Sequence, residues 1–222
     1  CTIPLARGKS RSGKISDIVN ATHKISKLHI KEVVLTGVNI GDYNGNDGES
    51  FLDLIKEIES LSTIPRFRIS SIEPNLLTKE IIEFIIESKK FTPHFHIPLQ
   101  SGSDKILKHM KRRYNVKFYK NLISNIVKLI PNICIGVDVI TGFPSETAED
   151  FISTYDFLEK LPIAYLHVFS YSKRKNTEAE NFDNILTKGD IKYRRKILQK
   201  LSDMKFNKHI KKNIGSIHEV LF

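Results

Sequence analysis

Short runs of β-branched and aromatic residues alternate along the chain with longer stretches whose apolar residues recur three and four apart. The first pattern reads as strands and the second as amphipathic helices. Strands are expected over residues 32–37, 66–72, 94–99, 133–141 and 165–171, and helices over 16–28, 50–61, 78–88, 103–111, 115–129 and 147–161. Ser50, Thr78, Ser103, Asn115 and Thr147 stand where helix N-caps are needed. The strands are nearly continuous apolar runs, as parallel strands covered by helices are, so an α/β fold of right-handed crossovers is expected. After Tyr171 a polar loop leads into a long basic helix over 187–212, with Ile191, Ile197, Leu198, Leu201, Met204 and Phe206 as its apolar members. The last stretch, 214–222, reads as a strand.

Nearly every expected strand runs at its C-terminal end into Gly, Asn, Ser or Pro. In a (β/α) barrel those ends share one face, and that face holds the site. The mouth so drawn is rimmed by Thr36, Gly37, Asn39, Ser71, Glu73, Gln100, Ser101, Gly142 and Tyr171, whose short polar groups suit a ribose, a carboxylate or an ammonium.

Composition narrows the class. With 222 residues, 40% hydrophobic and 27% charged, the chain is globular, and it carries no apolar run of membrane-spanning length. Thirty-five Lys and Arg against 25 acidic residues give a formal charge of +10, which favours a polyanionic partner, nucleic acid first. Two cysteines make no disulfide pattern, so a reducing, cytoplasmic setting is expected. Cys134 reads as a buried small hydrophobe, whereas Cys1 sits among basic residues that lower a thiol pKa. The chain begins with Cys rather than Met, which reads as a piece of a longer protein. Arg7, Lys9 and Arg11 near its start and Lys173, Arg174 and Lys175 after the last barrel strand adjoin the expected rim and read as phosphate contacts. The basic stretch 192–212 is balanced between a solvated face and RNA contact. His94 and His96 share one side of a strand, read first as core histidines and second as metal ligands. No phosphate loop and no regular dinucleotide fingerprint is present.

Six blocks in order resemble one family: Cys1-Thr2-Ile3-Pro4-Leu5-Ala6-Arg7-Gly8-Lys9-Ser10-Arg11-Ser12, Val34-Leu35-Thr36-Gly37-Val38-Asn39-Ile40-Gly41, Ser70-Ser71-Ile72-Glu73-Pro74, Pro93-His94-Phe95-His96-Ile97-Pro98-Leu99-Gln100-Ser101-Gly102-Ser103-Asp104, Gly142-Phe143-Pro144-Ser145-Glu146-Thr147 and His167-Val168-Phe169-Ser170-Tyr171-Ser172. They are similar to the radical S-adenosylmethionine methylthiotransferases, most of all to the MtaB branch, which acts on the threonylcarbamoylated adenosine beside the tRNA anticodon. Ser145 and Asn176 stand where that family usually has Gly, and Ser170 where it usually has Pro.

The resemblance implies a partial TIM-like (β/α) barrel of parallel strands lacking its first strand, with a basic C-terminal helix. By domain it implies a truncated radical barrel over 1–185, a helical linker over 186–213 and the first strand of an RNA-binding domain over 214–222. It implies S-adenosylmethionine and two 4Fe-4S clusters in the whole protein, with Cys1 matching the third cysteine of the cluster loop, and tRNA and an electron donor as partners. No membrane partner is implied, and the oligomeric state is left open. With one ligand in place, the chain alone is expected to hold no intact cluster. The implied chemistry is insertion of sulfur and a methyl group at C2 of the adenine ring. Three alternatives stand beside it: a methylthiotransferase acting on another tRNA adenosine or a ribosomal protein, a barrel hydrolase with a metal at His94 and His96, and a non-catalytic RNA-binding module.

Overall fold

A computed structural model describes residues 6, 8, 11–45, 48–183 and 186–221. Two compact units emerge, one of residues 10–96 with 215–222 and one of residues 97–214 with 1–9.

The first unit runs α1 (Ile15–Ser26), β1 (Glu32–Leu35), a 3-10 turn (Ile40–Asp42), α2 (Phe51–Leu61), β2 (Arg66–Ile69), a second 3-10 turn (Pro74–Leu76), α3 (Lys79–Glu87) and β3 (His94–His96). β1 and β2 pair in parallel from Glu32↔Arg66 to Leu35↔Ile69, and parallel bridges at Phe67↔Phe91 and Ser71↔His96 extend the line beyond β2. Ser50 and Asp53 form a reciprocal capping box on α2, and the Thr78 hydroxyl accepts from the Ile81 N–H on α3. Both caps satisfy N–H groups that a helix start leaves open. Phe67, Ile55, Ile58, Ile64 and Phe95 are fully buried between sheet and helices, with the Phe67 and Phe91 rings 5.6 Å apart. At the far end of α2, the Lys90 ammonium donates to the Glu59 carbonyl and, at 2.7 Å, to that of Ser62. There it meets the negative end of the helix dipole.

The second unit contains α4 (Asp104–His109), α5 (Val116–Leu129), β4 (Cys134–Thr141), α6 (Ala148–Lys160), β5 (Tyr165–Ser170), a 3-10 turn (Glu178–Asn181) and α7 (Lys188–Asn213). β4 and β5 pair in parallel from Gly136↔Tyr165 to Thr141↔Ser170, and residues 97–100 run alongside β4 through Ile97 N–H to Gly136 O and a Gln100↔Val139 bridge. Tyr119 is wholly buried, and its hydroxyl donates to the Ile97 carbonyl at 2.7 Å, so a polar tip inside the core is satisfied. Arg194, Leu198 and Leu201 form the buried stripe of α7, which packs on β5. Ser202 Oγ accepts from the Leu166 N–H at 2.8 Å and donates to the Leu166 carbonyl at 3.1 Å, occupying both backbone groups at the edge of β5.

The parallel strands, the helix order and all five caps agree with the sequence pattern. Two expectations need correction, on Cys134 and on residues 214–222, and the apolar members of α7 divide into buried and exposed. Met204 and Phe206 are 55% and 47% exposed, because α7 rests on one strand and buries a narrow stripe. Phe206 lies about 140° round the helix from Leu201. Cys134 is half-buried rather than buried, since it opens β4 at the sheet margin. Residues 214–221 form no strand, because none of their backbone groups joins a ladder among the described residues.

The burial pattern of α7 is testable by denaturation. Leu198→Ala should cost about 2–5 kcal/mol through lost contacts and a residual cavity, whereas Met204→Ala should stay within about 0.5 kcal/mol. Equal losses in urea titrations would refute this orientation of the helix.

Candidate functional site

In the second unit, Leu99 N–H and Gln100 N–H both donate to the Asp138 carbonyl, at 3.2 and 2.8 Å, two residues facing one as in a bulge. The bulge leaves Gln100 buried at φ +74°, a left-handed conformation that a β-carbon disfavours. The chain then turns through Ser101, Gly102 and Ser103 onto the N-terminus of α4. Thr154 of α6 anchors this turn, accepting from Gly102 N–H at 3.0 Å and lying 3.3 Å from the Ser101 hydroxyl. A β-carbon on Gly102 would fall 2.6 Å from Thr154 Cα, so only glycine permits the approach. Ser101, expected at the cofactor, thus has its hydroxyl turned into the protein.

Asp150 joins this turn to the one after β4. Its carboxylate accepts from Ser103 Oγ at 2.7 Å, Lys105 Nζ at 2.8 Å and Thr147 N–H at 3.0 Å. Burial opposes its ionisation, but these donors outweigh it and hold the pKa down at about 2. Gly142, at φ +76°, ends β4 under the side chain of Ile191 on α7, where a β-carbon has no room. Its N–H donates to Glu146 Oε2 at 2.8 Å, and Arg194 of α7 holds the same oxygen at 2.6 Å. Burial raises the Glu146 pKa, against the pull of the Gly142 N–H and of Arg194. The Arg194 guanidinium also lies 5.1 Å from the centre of the Phe151 ring.

Tyr171 follows β5, its N–H bonded to the Thr141 carbonyl at 2.8 Å and its ring edge-on to Phe143 at 5.4 Å. Gln100, Gly142 and Tyr171 therefore sit at the C-terminal ends of neighbouring parallel segments. Lys173, Arg174 and Lys175 are exposed on the turn that follows, tightened by Thr177 Oγ1 donating to the Arg174 carbonyl. Ser145 and Asn176 both have positive φ, +71° and +62°, a left-handed conformation that favours glycine.

In the first unit, Thr36 and Gly37 leave β1 exposed, while Asn39, Ser71 and Glu73 are half-buried. The two 3-10 turns after β1 and β2 touch: a β-carbon on Gly41 would meet Leu76 Cβ at 2.7 Å. This contact brings residues 36–39 and 71–73 to adjoining strand ends. Asn39 Oδ1 is buried without a hydrogen-bond partner, the kind of orphan that marks a site for water or a ligand. Arg11 is exposed. Cys1, Arg7 and Lys9 lie outside the described residues. Burial, with Arg68 and His96 adding to it, lowers the pKa of half-buried His94 to about 4, so its ring is neutral at pH 7. Among the described residues, His94 joins no group of three side chains able to hold a metal.

A profile described as the radical SAM superfamily matches residues 1–158. The chain belongs to the radical SAM superfamily. It is 39% identical over 215 residues to the threonylcarbamoyladenosine tRNA methylthiotransferase MtaB of Aquifex aeolicus, covering 97% of this chain and 52% of that protein. It is 38% identical over 216 residues to the tRNA-2-methylthio-N(6)-dimethylallyladenosine synthase of Clostridium tetani, covering 96% of this chain and 47% of that one. The chain thus spans about half the length of the curated relatives it matches. Among solved structures, the radical S-adenosylmethionine methyltransferase TsrM of Kitasatospora setae superimposes with a TM-score of 0.57 at 14% identity, over 70% of this chain and 30% of that one. Coproporphyrinogen III oxidase HemN of Escherichia coli does so with 0.51 at 13%, over 90% of this chain and 44% of that one. The parallel α/β fold expected from the sequence is therefore the radical SAM fold.

The superfamily match contains the strand ends from Thr36 to Gly142 and stops short of Tyr171 and the basic run. Sequence reasoning missed the residues that brace these ends: Thr154, Asp150, Glu146 and Arg194. Two signals pointed to them, the Thr147–Asp150 capping pair and an arginine standing on the otherwise apolar stripe of α7.

The braces predict stability effects. Ser145→Gly should raise stability by roughly 0.5–1 kcal/mol, by relieving a left-handed residue that carries a β-carbon, and a lower melting temperature would contradict this. Because the folded-state pKa of Asp150 lies below its ordinary value, its contribution is complete above about pH 4 and lost as pH falls through about 2. Asp150→Asn should be less stable at pH 7, and the gap to the unsubstituted chain should close across that acid range.

Proposed function

We propose that the whole protein is a tRNA methylthiotransferase that adds sulfur and a methyl group at C2 of the N6-threonylcarbamoyladenosine beside the anticodon, with the strand end that carries Asn39 contacting S-adenosylmethionine. The observation that carries this reading is the extent of the likeness: 39% identity over 97% of the chain to a protein named for that reaction, against 13–14% for radical SAM enzymes of other activities. A second reading, dimethylallyladenosine as the target, is favoured by a relative at 38%.

The strand-end residues suit the proposed ligand. S-adenosylmethionine brings an ammonium and two ribose hydroxyls, all donors, and Asn39 Oδ1 is a buried acceptor with none. Ser71 and Glu73 supply further polar groups at the strand end beside it in the same unit. When bound, a reduced 4Fe-4S cluster supplies the electron that cleaves S-adenosylmethionine. These 222 residues hold two cysteines, with Cys134 opening β4, so they do not complete a three-thiolate ligand set. The source of the sulfur, the second cluster, the electron donor and the cytoplasmic setting belong to the same proposal. No helix among the described residues is long and apolar enough to cross a membrane. Arg7, Lys9, Arg11, Lys173, Arg174 and Lys175 act in this reading as phosphate contacts.

The deciding experiment is nucleoside mass spectrometry of tRNA from cells lacking the endogenous enzyme and supplied with the whole protein. The 2-methylthio derivative of threonylcarbamoyladenosine is expected. The dimethylallyl derivative would transfer the assignment to the second reading, and neither product would sink both. With the same protein, Asn39→Ala should weaken S-adenosylmethionine binding by about tenfold or more, the worth of one hydrogen bond to a charged donor, with no loss of thermal stability. Glu73→Gln should spare tRNA binding and remove turnover. Arg174→Ala should do the reverse, lowering the salt slope of tRNA binding by about one unit.

A further inference from the structure

The positive charge of this chain is concentrated in one helix. α7 carries ten Lys and Arg against two Asp, a net eight of the chain's ten formal charges within 26 residues. Three of the ten are engaged inside the fold: Arg194 with Glu146, Lys205 with the carbonyls of Glu159 and Leu161, and Lys212 with that of Pro131. The other seven are exposed and make no ion pair among the described residues. Lys188, Lys192, Lys196 and Lys200 follow one another at intervals of four, so they climb one side of the helix as a ladder about 18 Å long, with Arg195 beside it.

A face that only needs solvation mixes signs, because opposite charges four apart stabilise a helix and like charges destabilise it. This ladder contains three successive like-charge pairs, and it begins at the helix N-terminus, where the dipole already disfavours cations. Local stability therefore argues against the arrangement, and no ion pair among the described residues offsets it. Its position gives it a use. The first turns of α7 lie against the C-terminal end of β4, through Ile191 on Gly142 and Arg194 on Glu146. The ladder thus starts beside a candidate cofactor-binding strand end and runs down the outer side of α7, while the opposite stripe lies on β5.

We propose that the outward face of α7, Lys188, Lys192, Lys196 and Lys200 with Arg195, is a phosphate track that grips the backbone of the RNA substrate while the target nucleoside reaches the strand ends. This rests on the tRNA reading above and adds to it a surface that the other basic clusters do not include. Ammonium groups on flexible stems bind phosphate as point charges and read no bases. The track therefore contributes affinity common to all tRNAs, and specificity comes from elsewhere.

The test compares two triple variants of the 222-residue chain that change net charge equally. One is Lys192→Gln, Lys196→Gln and Lys200→Gln on the track, and the other is Lys24→Gln, Lys27→Gln and Lys31→Gln at exposed positions in and after α1. Binding of fluorescent tRNA is followed between about 50 and 200 mM salt. The track variant should lose about two to three units of salt slope and at least about tenfold in affinity, with an unchanged or higher melting temperature as the like-charge pairs disappear. The control should change by less than threefold. Equal losses in both variants would reduce the effect to net charge and overturn the track. So would a track variant that keeps its tRNA affinity, or one that loses only binding to phosphatidylserine vesicles. If the unsubstituted chain binds tRNA without salt dependence, it is the tRNA reading itself that fails.

Discussion

Parallel strands end in loops that carry ligands, and such loops have no ladder of their own to hold them. In the unit of residues 97–214 the constraint is met by the first turns of α6. Asp150 receives donors from both the turn after residues 97–100 and the turn after β4, and Thr154, one helical turn on, takes the Gly102 N–H. Each donor would otherwise have to find water or remain unsatisfied. Because one carboxylate serves both turns, the strand ends hold a fixed spacing, and the strained residues Gln100 and Ser145 are kept in conformations they would leave if free.

Glu146 and Arg194 extend the same bracing to α7. Burying a carboxylate opposes its ionisation and raises the Glu146 pKa, and a backbone N–H and a guanidinium converging on one oxygen pull against that rise. The interaction fixes the first turns of α7 to the loop behind Gly142, and Ile191 closes over the glycine from the same helix. A load applied to the outer face of α7 thus reaches the end of β4 through short, fully engaged contacts rather than through a flexible linker.

What the sequence made legible follows from the range of the forces involved. Helix caps depend on residues three apart, so Ser50, Thr78, Ser103, Asn115 and Thr147 could be assigned without tertiary information. Strand identity within residues 32–171 was equally plain, since short β-branched or aromatic runs ending in Gly, Asn, Ser or Pro allow few other readings. The face of α7 that packs was not, because Met204 and Phe206 suit a buried stripe as well as Leu198 does and only the width of the contact with β5 excludes them. A strand over 214–222 could not be judged locally either, since a strand exists only with its partner. At the site, the strand-end residues were visible as types, whereas their orientation was not: Ser101 and Asn39 look alike in sequence, yet one hydroxyl is bound to Thr154 and the other residue's oxygen has no partner.

The lysines make the same distinction in charge. Lys90 and Lys205 place ammonium groups on the last carbonyls of α2 and α6, and Lys212 does so for the carbonyl of Pro131 beyond α5. There a cation completes a hydrogen-bond set and meets the negative end of a helix dipole. Burial lowers the Lys205 pKa to about 8, with Lys208 adding to the effect, and the group is still retained because a neutral amine could donate to both carbonyls as well. Cations used in this way are accounted for by the fold, and their number can be subtracted from the excess charge. One row of what remains lies on the outward side of α7, without ion pairs among the described residues and at spacings that cost helix stability. What sets this row apart from other exposed lysines is its regularity, and a regular row of unpaired charges fits a ligand with a regular row of the opposite sign.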